Sequence, residues 1–83
     1  MKIIALLLLG LSFLLASVDI NHADAKELTT LKGVGTKKAQ AIVTYRKEHK
    51  CFKNVDELVK VKGISIKTLE KNKANLTATK CEN

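Results

Sequence analysis

Hydrophobic positions fall into two regimes along the chain. Residues 3–16, IIALLLLGLSFLLA, form an unbroken uncharged run behind Met1 and Lys2, whereas beyond Ser17 the apolar residues stand singly or in groups of two or three among polar and charged ones. The run has the make-up of a signal peptide. It is short of the ~20 apolar residues of a membrane-spanning helix, and Asp19 follows closely. Residues 1–16 are therefore expected to be a leader cleaved near Ala16 or Ser17, with an uncleaved N-terminal anchor as the alternative. An AxA pattern also occurs at Ala23, Asp24 and Ala25, but cutting there would remove residues that belong to the fold.

The sparse pattern that follows repeats itself with a shift of 30 residues. Asp24 falls on Asn54, Glu27 on Glu57, Leu28 on Leu58, Leu31 on Val61, Lys32 on Lys62, Gly33 on Gly63 and Val34 on Ile64. Asp24 and Asn54 both suit helix N-caps, each with a Glu three residues later that can reach back to the cap. Leu28 and Leu31, or Leu58 and Val61, then share one face of a short helix. Gly33 and Gly63 end it, because glycine takes the left-handed conformation of a helix stop. One apolar residue follows, Val34 or Ile64, and then Gly35 or Ser65 as a second cap. The next helix carries Ala39, Ile42 and Val43 in the first copy and Leu69 in the second, with Leu76 beyond. Each copy reads as helix, hairpin, helix, with the hairpin's apolar residue pointing inward. The repeats cover about 24–47 and about 54–77, within one domain at 17–83.

Charge gives this arrangement a chemistry. The chain carries +7, and losing Lys2 with the leader leaves +6 on residues 17–83, which favours a polyanionic partner: nucleic acid, anionic lipid or acidic polysaccharide. Backbone amides at a helix start lack intrahelical partners and carry the positive end of the helix dipole. Glycines flanking Val34 let an anion approach the backbone, and Lys37 and Lys38 add charge on the same side. A single glycine turn beside lysines is more often an ordinary turn beside a solvated face. Two such hairpins at equal spacing, the second followed by Lys67, suggest a pair of phosphate clamps.

The run Leu31, Gly33, Val34, Gly35, Ala39, Ile42 resembles the helix-hairpin-helix DNA-binding motif. VDINHADAKEL, residues 18–28, resembles the opening of the ComEA family of competence DNA receptors, and the likeness extends to about Thr77 through Tyr45, Arg46 and Phe52. It implies an all-α tandem helix-hairpin-helix domain of four to five short helices, lying outside the cytoplasmic membrane. It further implies sequence-independent binding of double-stranded DNA during natural transformation, with transfer to an uptake channel or pilus. Carried over to this chain, the DNA-binding residues are Gly33, Val34, Gly35, Thr36, Lys37 and Lys38, then Gly63, Ile64, Ser65, Lys67 and Thr68. Two positions depart from the pattern. Ser65 stands for the second glycine, still able to cap and to donate to a phosphate, and Asn72 takes an apolar position, where it is expected to weaken the second core face. The first hairpin is accordingly expected to grip harder.

Cys51 and Cys81 are the only cysteines. Export would take them to a compartment where disulfides persist. An intrachain bridge is the leading reading, beside intermolecular pairing and two reduced thiols. His49 with Cys51 lacks the spacing of a metal site. Neither paired carboxylates nor a nucleophile with a base is evident, so the chain is read as a binding protein without cofactor, metal or small-molecule substrate. The competing class is a basic exported helical protein binding an anionic membrane or a protein of an uptake or secretion machine. A continuous amphipathic helix would mark a membrane binder, and the glycine hairpins interrupt any such helix. Tyr45 and Phe52, the only aromatics after residue 16, are expected in core or connector packing, which disfavours single-strand binding by base stacking.

Overall fold

Asp24 starts the first helix, its Oδ1 accepting the Glu27 N–H at 2.7 Å, and the short α1 (Ala25–Leu28) follows. The computed structural model describes residues 17–80. The expected leader at 1–16 and Cys81, half of the expected bridge, lie outside the described residues. After the first hairpin comes α2 (Thr36–His49). A connector leads to a 3-10 helix at Val55–Lys60, the second hairpin, α3 (Ile66–Asn72) and a further 3-10 turn at Lys73–Asn75. The expected helical architecture and its tandem hairpins are present.

Two features depart from expectation. Strand β1 (Val18–Asp19) pairs in parallel with β2 (Leu76–Thr77), Val18 opposite Leu76 and Asp19 opposite Thr77. Segments of two residues leave no alternation to read. The second copy, moreover, opens with a 3-10 helix rather than an α-helix. Asn54 makes no side-chain cap bond, and Glu57 Oε1 instead accepts the Lys53 N–H at 2.8 Å. In the first copy Thr29 and Thr30 also donate to the Lys26 and Glu27 carbonyls at 2.6 and 2.7 Å, satisfying the helix end. Val59 and Lys60 occupy those places in the second copy and offer no hydroxyl.

The core is assembled from repeat-related pairs, Leu28 with Leu58, Leu31 with Val61, Val34 with Ile64 and Ala39 with Leu69, all buried, joined by Ile20, Ile42 and Phe52. Asn72, the counterpart of Ile42, corrects the expectation of a weakened face. It is buried but fully bonded: Oδ1 accepts the Lys32 N–H at 2.8 Å, and Nδ2 donates to the carbonyls of Lys32 and Thr68, both at 2.9 Å. A buried amide with its hydrogen bonds satisfied ties elements together. Here it fastens α3 to the start of the first hairpin.

The two ends of the described residues are clasped through polar groups of residues 19–23. Asn21 donates to the carbonyls of Phe52 and Thr79 and accepts the Phe52 N–H, while Arg46 donates to the carbonyls of Ile20 and Ala23. Asp19 receives the N–H groups of Asn21 and Thr79 and the Thr79 hydroxyl, with His22 Nδ1 at 2.7 Å. Burial acts to raise its pKa, but these bonds, led by that of the Thr79 hydroxyl, bring it down to about 2. Phe52 stacks on Tyr45 at 5.2 Å, and Tyr45 on His49 at 4.0 Å. Tyr45 and His49 stand on the last turns of α2 and Phe52, buried, in the connector behind it, so both Tyr45 and Phe52 take the core and connector packing expected.

Candidate functional site

The two hairpins are built alike. Over residues 31–40 and 61–70 the order of buried, half-buried and exposed residues is the same at every position. Gly33 and Gly63 adopt φ of +77° and +96°, the left-handed region that side chains resist. Val34 and Ile64 turn inward, and their N–H groups donate to the carbonyls of Leu31 and Val61 at 3.1 and 3.0 Å. Gly35 and Ser65, both extended, cap α2 and α3.

The open donors follow from this bonding. Among the described residues, no acceptor is found for the N–H groups of Gly33, Gly35, Thr36, Lys37 and Lys38. In the second hairpin those of Lys62, Gly63, Ser65, Ile66 and Lys67 are open, because the Thr68 N–H is taken by Ser65 Oγ at 3.2 Å. Val34 and Ile64 were expected among the contacts; both are buried with their amides bonded internally. The outward-facing set is Gly33, Gly35, Thr36 and Lys37 with Gly63, Ser65 and Lys67, all exposed, beside half-buried Lys38 and Thr68.

The hairpins also meet. A Cβ on Gly63 would lie 3.7 Å from Lys38 Cγ, and one on Gly33 would lie 4.0 Å from Thr68 Oγ1, so each turn faces the same position of the other copy. The Lys38 stem passes beside Gly63 while its ammonium donates to the Gly33 carbonyl at 3.3 Å. One surface therefore carries both sets of donors.

Charge distinguishes this surface from the other helix starts. Carboxylates favour the first turn of a helix, where they offset the dipole. The helices that open each copy obey this, with Glu27 in α1 and Asp56 and Glu57 in the 3-10 helix. The first turns of α2 and α3 hold none, and no acidic residue occurs between Glu27 and Glu48 or between Glu57 and Glu70. The positive ends that follow the hairpins are left unneutralised and are flanked by Lys32, Lys37, Lys62 and Lys67, all exposed. Sequence reasoning passed over Lys32 and Lys62, although their place before each glycine was visible in the repeat. It passed over Asp19, Asn21 and Asn72 as framework residues because their partners lie more than 30 residues away. Among the described residues, no group of three or more His, Cys, Asp or Glu could hold a metal ion.

Comparison with known proteins matches residues 16–77 to the helix-hairpin-helix motif. The chain is 44% identical over 62 residues to ComE operon protein 1 of Bacillus subtilis, covering 75% of this chain and 30% of that protein. It is 49% identical over 57 residues to an uncharacterized protein of Haemophilus influenzae, covering 68% and 51%. A kinesin-like protein of Mus musculus shares 47% identity over 58 residues, 69% of this chain and 9% of its own length. The chain thus spans about half or less of the relatives it matches.

Proposed function

The chain belongs to the helix-hairpin-helix family of DNA-binding motifs, and on that premise we propose that it is an exported protein that grips double-stranded DNA through backbone phosphates, without sequence preference. The observation that carries this reading is the contrast between helix starts: both copies place carboxylates at their opening helices and exclude them from the helices behind the hairpins. Open amides and lysines on one surface suit a repeating anion. Phosphate contacts fix position and carry no base information.

Residues 17–83 form the binding domain in this reading, and Gly33, Gly35, Thr36, Lys37 and Lys38 act with Gly63, Ser65, Lys67 and Thr68 as two clamps. The leader directs export to an extracytoplasmic compartment. Cleavage near Ala16 is favoured because a cut after Ala25 would remove Asp19, Asn21 and the carbonyls held by Arg46. A Cys51–Cys81 bridge then forms outside the cell and ties the second copy to the chain's end. The similarity to ComE operon protein 1 supports a role in DNA uptake for natural transformation, with an uptake channel or pilus as the receiving machinery. The chain acts by binding and carries out no catalysis.

A membrane-binding role finds less support. Among the described residues no helix is long and apolar enough to cross a membrane, and the exposed large hydrophobics are Val59 and Ile66 alone. These two make no continuous apolar face. Fluorescence anisotropy of the purified, oxidised chain with unrelated duplexes and their single strands tests the proposal. Similar affinity for every duplex, above that for single strands, is the expected result. Strong preference for one sequence, or no binding at low salt by folded protein, would overturn it.

A further inference from the structure

The first hairpin stands at one end of α2, and a second basic surface stands at the other, about 20 Å away along a helix of fourteen residues. A pocket of about 370 Å³ opens there, with Tyr45, His49, Lys50, Lys53, Glu57 and Lys60 in its wall. Its aromatic side is the end of a stack of rings. Phe52 is buried, half-buried Tyr45 lies on it with the planes 13° apart, and exposed His49 lies on Tyr45 at 23°. With one face on Tyr45, the His49 ring turns the other to solvent. The polar side of the pocket is cationic. Glu57, the only carboxylate among these residues, is already engaged, with Oε1 on the Lys53 N–H at 2.8 Å and Oε2 3.5 Å from Lys60 Nζ. Among the described residues no acceptor is found for the ammonium groups of Lys50 and Lys53, both exposed. Lys50 is held there under strain. Its φ of +76° and ψ of −55°, with the Cys51 N–H donating to the His49 carbonyl at 2.9 Å, make a γ-turn of the rare, strained kind. Among the described residues no other side chain is carried at positive φ. Glycine would adopt this turn freely, so a lysine in its place speaks for the cation, and strain of this sort collects at ligand sites.

We propose that this pocket binds one unpaired nucleotide, the end of a single-stranded overhang on the duplex held by the hairpins, with its base stacked on His49 and its phosphate beside Lys50 and Lys53. The inference rests on the DNA-binding reading above and adds a second site to it. The open ring face suits a flat aromatic partner, and the two ammonium groups suit an anion. A nucleotide joins both in one ligand. Inside a duplex each base is already paired and stacked, so only an unpaired end offers a free ring. The way from the hairpins is short. Lys60 in the pocket wall stands two residues before Lys62 of the second hairpin, and a groove lined by Ala41, Thr44, Tyr45, Glu48 and Lys62 shares Tyr45 with the pocket. One ring end holds one base, so a whole single strand still lacks the row of stacking platforms that carries tight binding.

The test measures affinities of the purified, oxidised chain for a blunt duplex, for the same duplex with a short single-stranded overhang of either polarity, and for that overhang made abasic. In wild type an overhang of one polarity or both should raise affinity by about fivefold to tenfold, the effect of one stacked base. The abasic overhang, which keeps the phosphates, should lose most of that gain. His49→Ala should abolish the gain, and Lys50→Gly, which keeps the turn and removes the charge, should reduce it. Both variants should remain folded by circular dichroism and still bind the blunt duplex, so the ratio of overhang to blunt affinity isolates the pocket. No gain with either polarity in wild type, or a gain that either variant leaves whole, would overturn the inference while the clamps stand. Failure to bind the blunt duplex would refute the clamps instead; binding of the overhang duplex alone would then still support the pocket, and binding of neither would refute both.

Discussion

The two hairpins present the same exposed and buried positions but are supported by different means. The first rises from an α-helix finished at both ends by side chains, Asp24 at the start and Thr29 and Thr30 at the stop, and leads into the fourteen-residue α2. The second rises from a 3-10 helix without a side-chain cap and leads into the seven-residue α3, whose own start is capped by Ser65. The open donors differ to match. The first hairpin offers the run from Gly35 to Lys38; in the second, Ser65 consumes the last of that run at Thr68. An exposed hairpin surface can thus be the same in both copies while its scaffold differs, provided the turn glycine, the inward apolar residue and the bare first turn are retained.

Asn72 is where the two copies become one unit, and its removal should have the largest effect. Asn72→Leu restores the apolar pattern of Ile42 yet strands the N–H and carbonyl of Lys32. Loss of about 2–3 kcal/mol is expected in chemical denaturation, since partly buried backbone groups are left unpaired. Equal or greater stability in this variant would restore the view that Asn72 is a flaw in the core.

The turn glycines should come next, and alike. Gly33→Ala and Gly63→Ala each force a side chain to positive φ, costing about 1–2 kcal/mol. Near equality is expected because neither Cβ meets an atom closer than ordinary contact. A large disparity between the two melting temperatures would deny the equivalence of the turns.

A smaller effect concerns the clasp that joins the outer ends of the copies. The carboxyl of Asp19 is held at about 2, below its ordinary 3.8. A depressed folded-state pKa contributes stability that is present above the unfolded value and lost as pH falls through the folded one. The free energy of unfolding should therefore drop between about pH 4 and pH 2, by on the order of 1 kcal/mol after screening, and Asp19→Asn should flatten that part of the profile. An unaltered profile in the variant would remove Asp19 as the cause.

The subtlest change makes the first hairpin imitate the second. Gly35→Ser has open space for its side chain and should stabilise the fold by a few tenths of a kcal/mol through capping. If the new hydroxyl takes the Lys38 N–H as Ser65 takes that of Thr68, duplex affinity should fall slightly while stability rises. A rise in both would contradict the donor assignment.

Much of this comparison was legible in the sequence. The shift of 30 residues identified the glycine turns, the inward Val34 and Ile64 and the capping residues, since each is a local requirement of backbone conformation or helix ends. Three things were not. The 3-10 opening of the second copy depends on which N–H the Glu57 carboxylate reaches, and Asn54 looked as good a cap as Asp24. The role of Asn72 depends on a partner 40 residues away, and by periodicity alone it is a polar intrusion. The internal bonding of the Val34 and Ile64 amides narrows the expected donor set, because a turn tight enough to expose its glycine also closes a hydrogen bond on itself.

The central claim, two backbone clamps on one surface, is tested most directly by the salt dependence of duplex binding in wild type, Lys37→Glu and Lys67→Glu. With roughly 4 to 6 phosphates engaged, log affinity should fall against log salt with a slope of about −4 to −5, shallower in both variants and on every sequence tested. A flat response in wild type, or a slope that changes in only one variant, would contradict it.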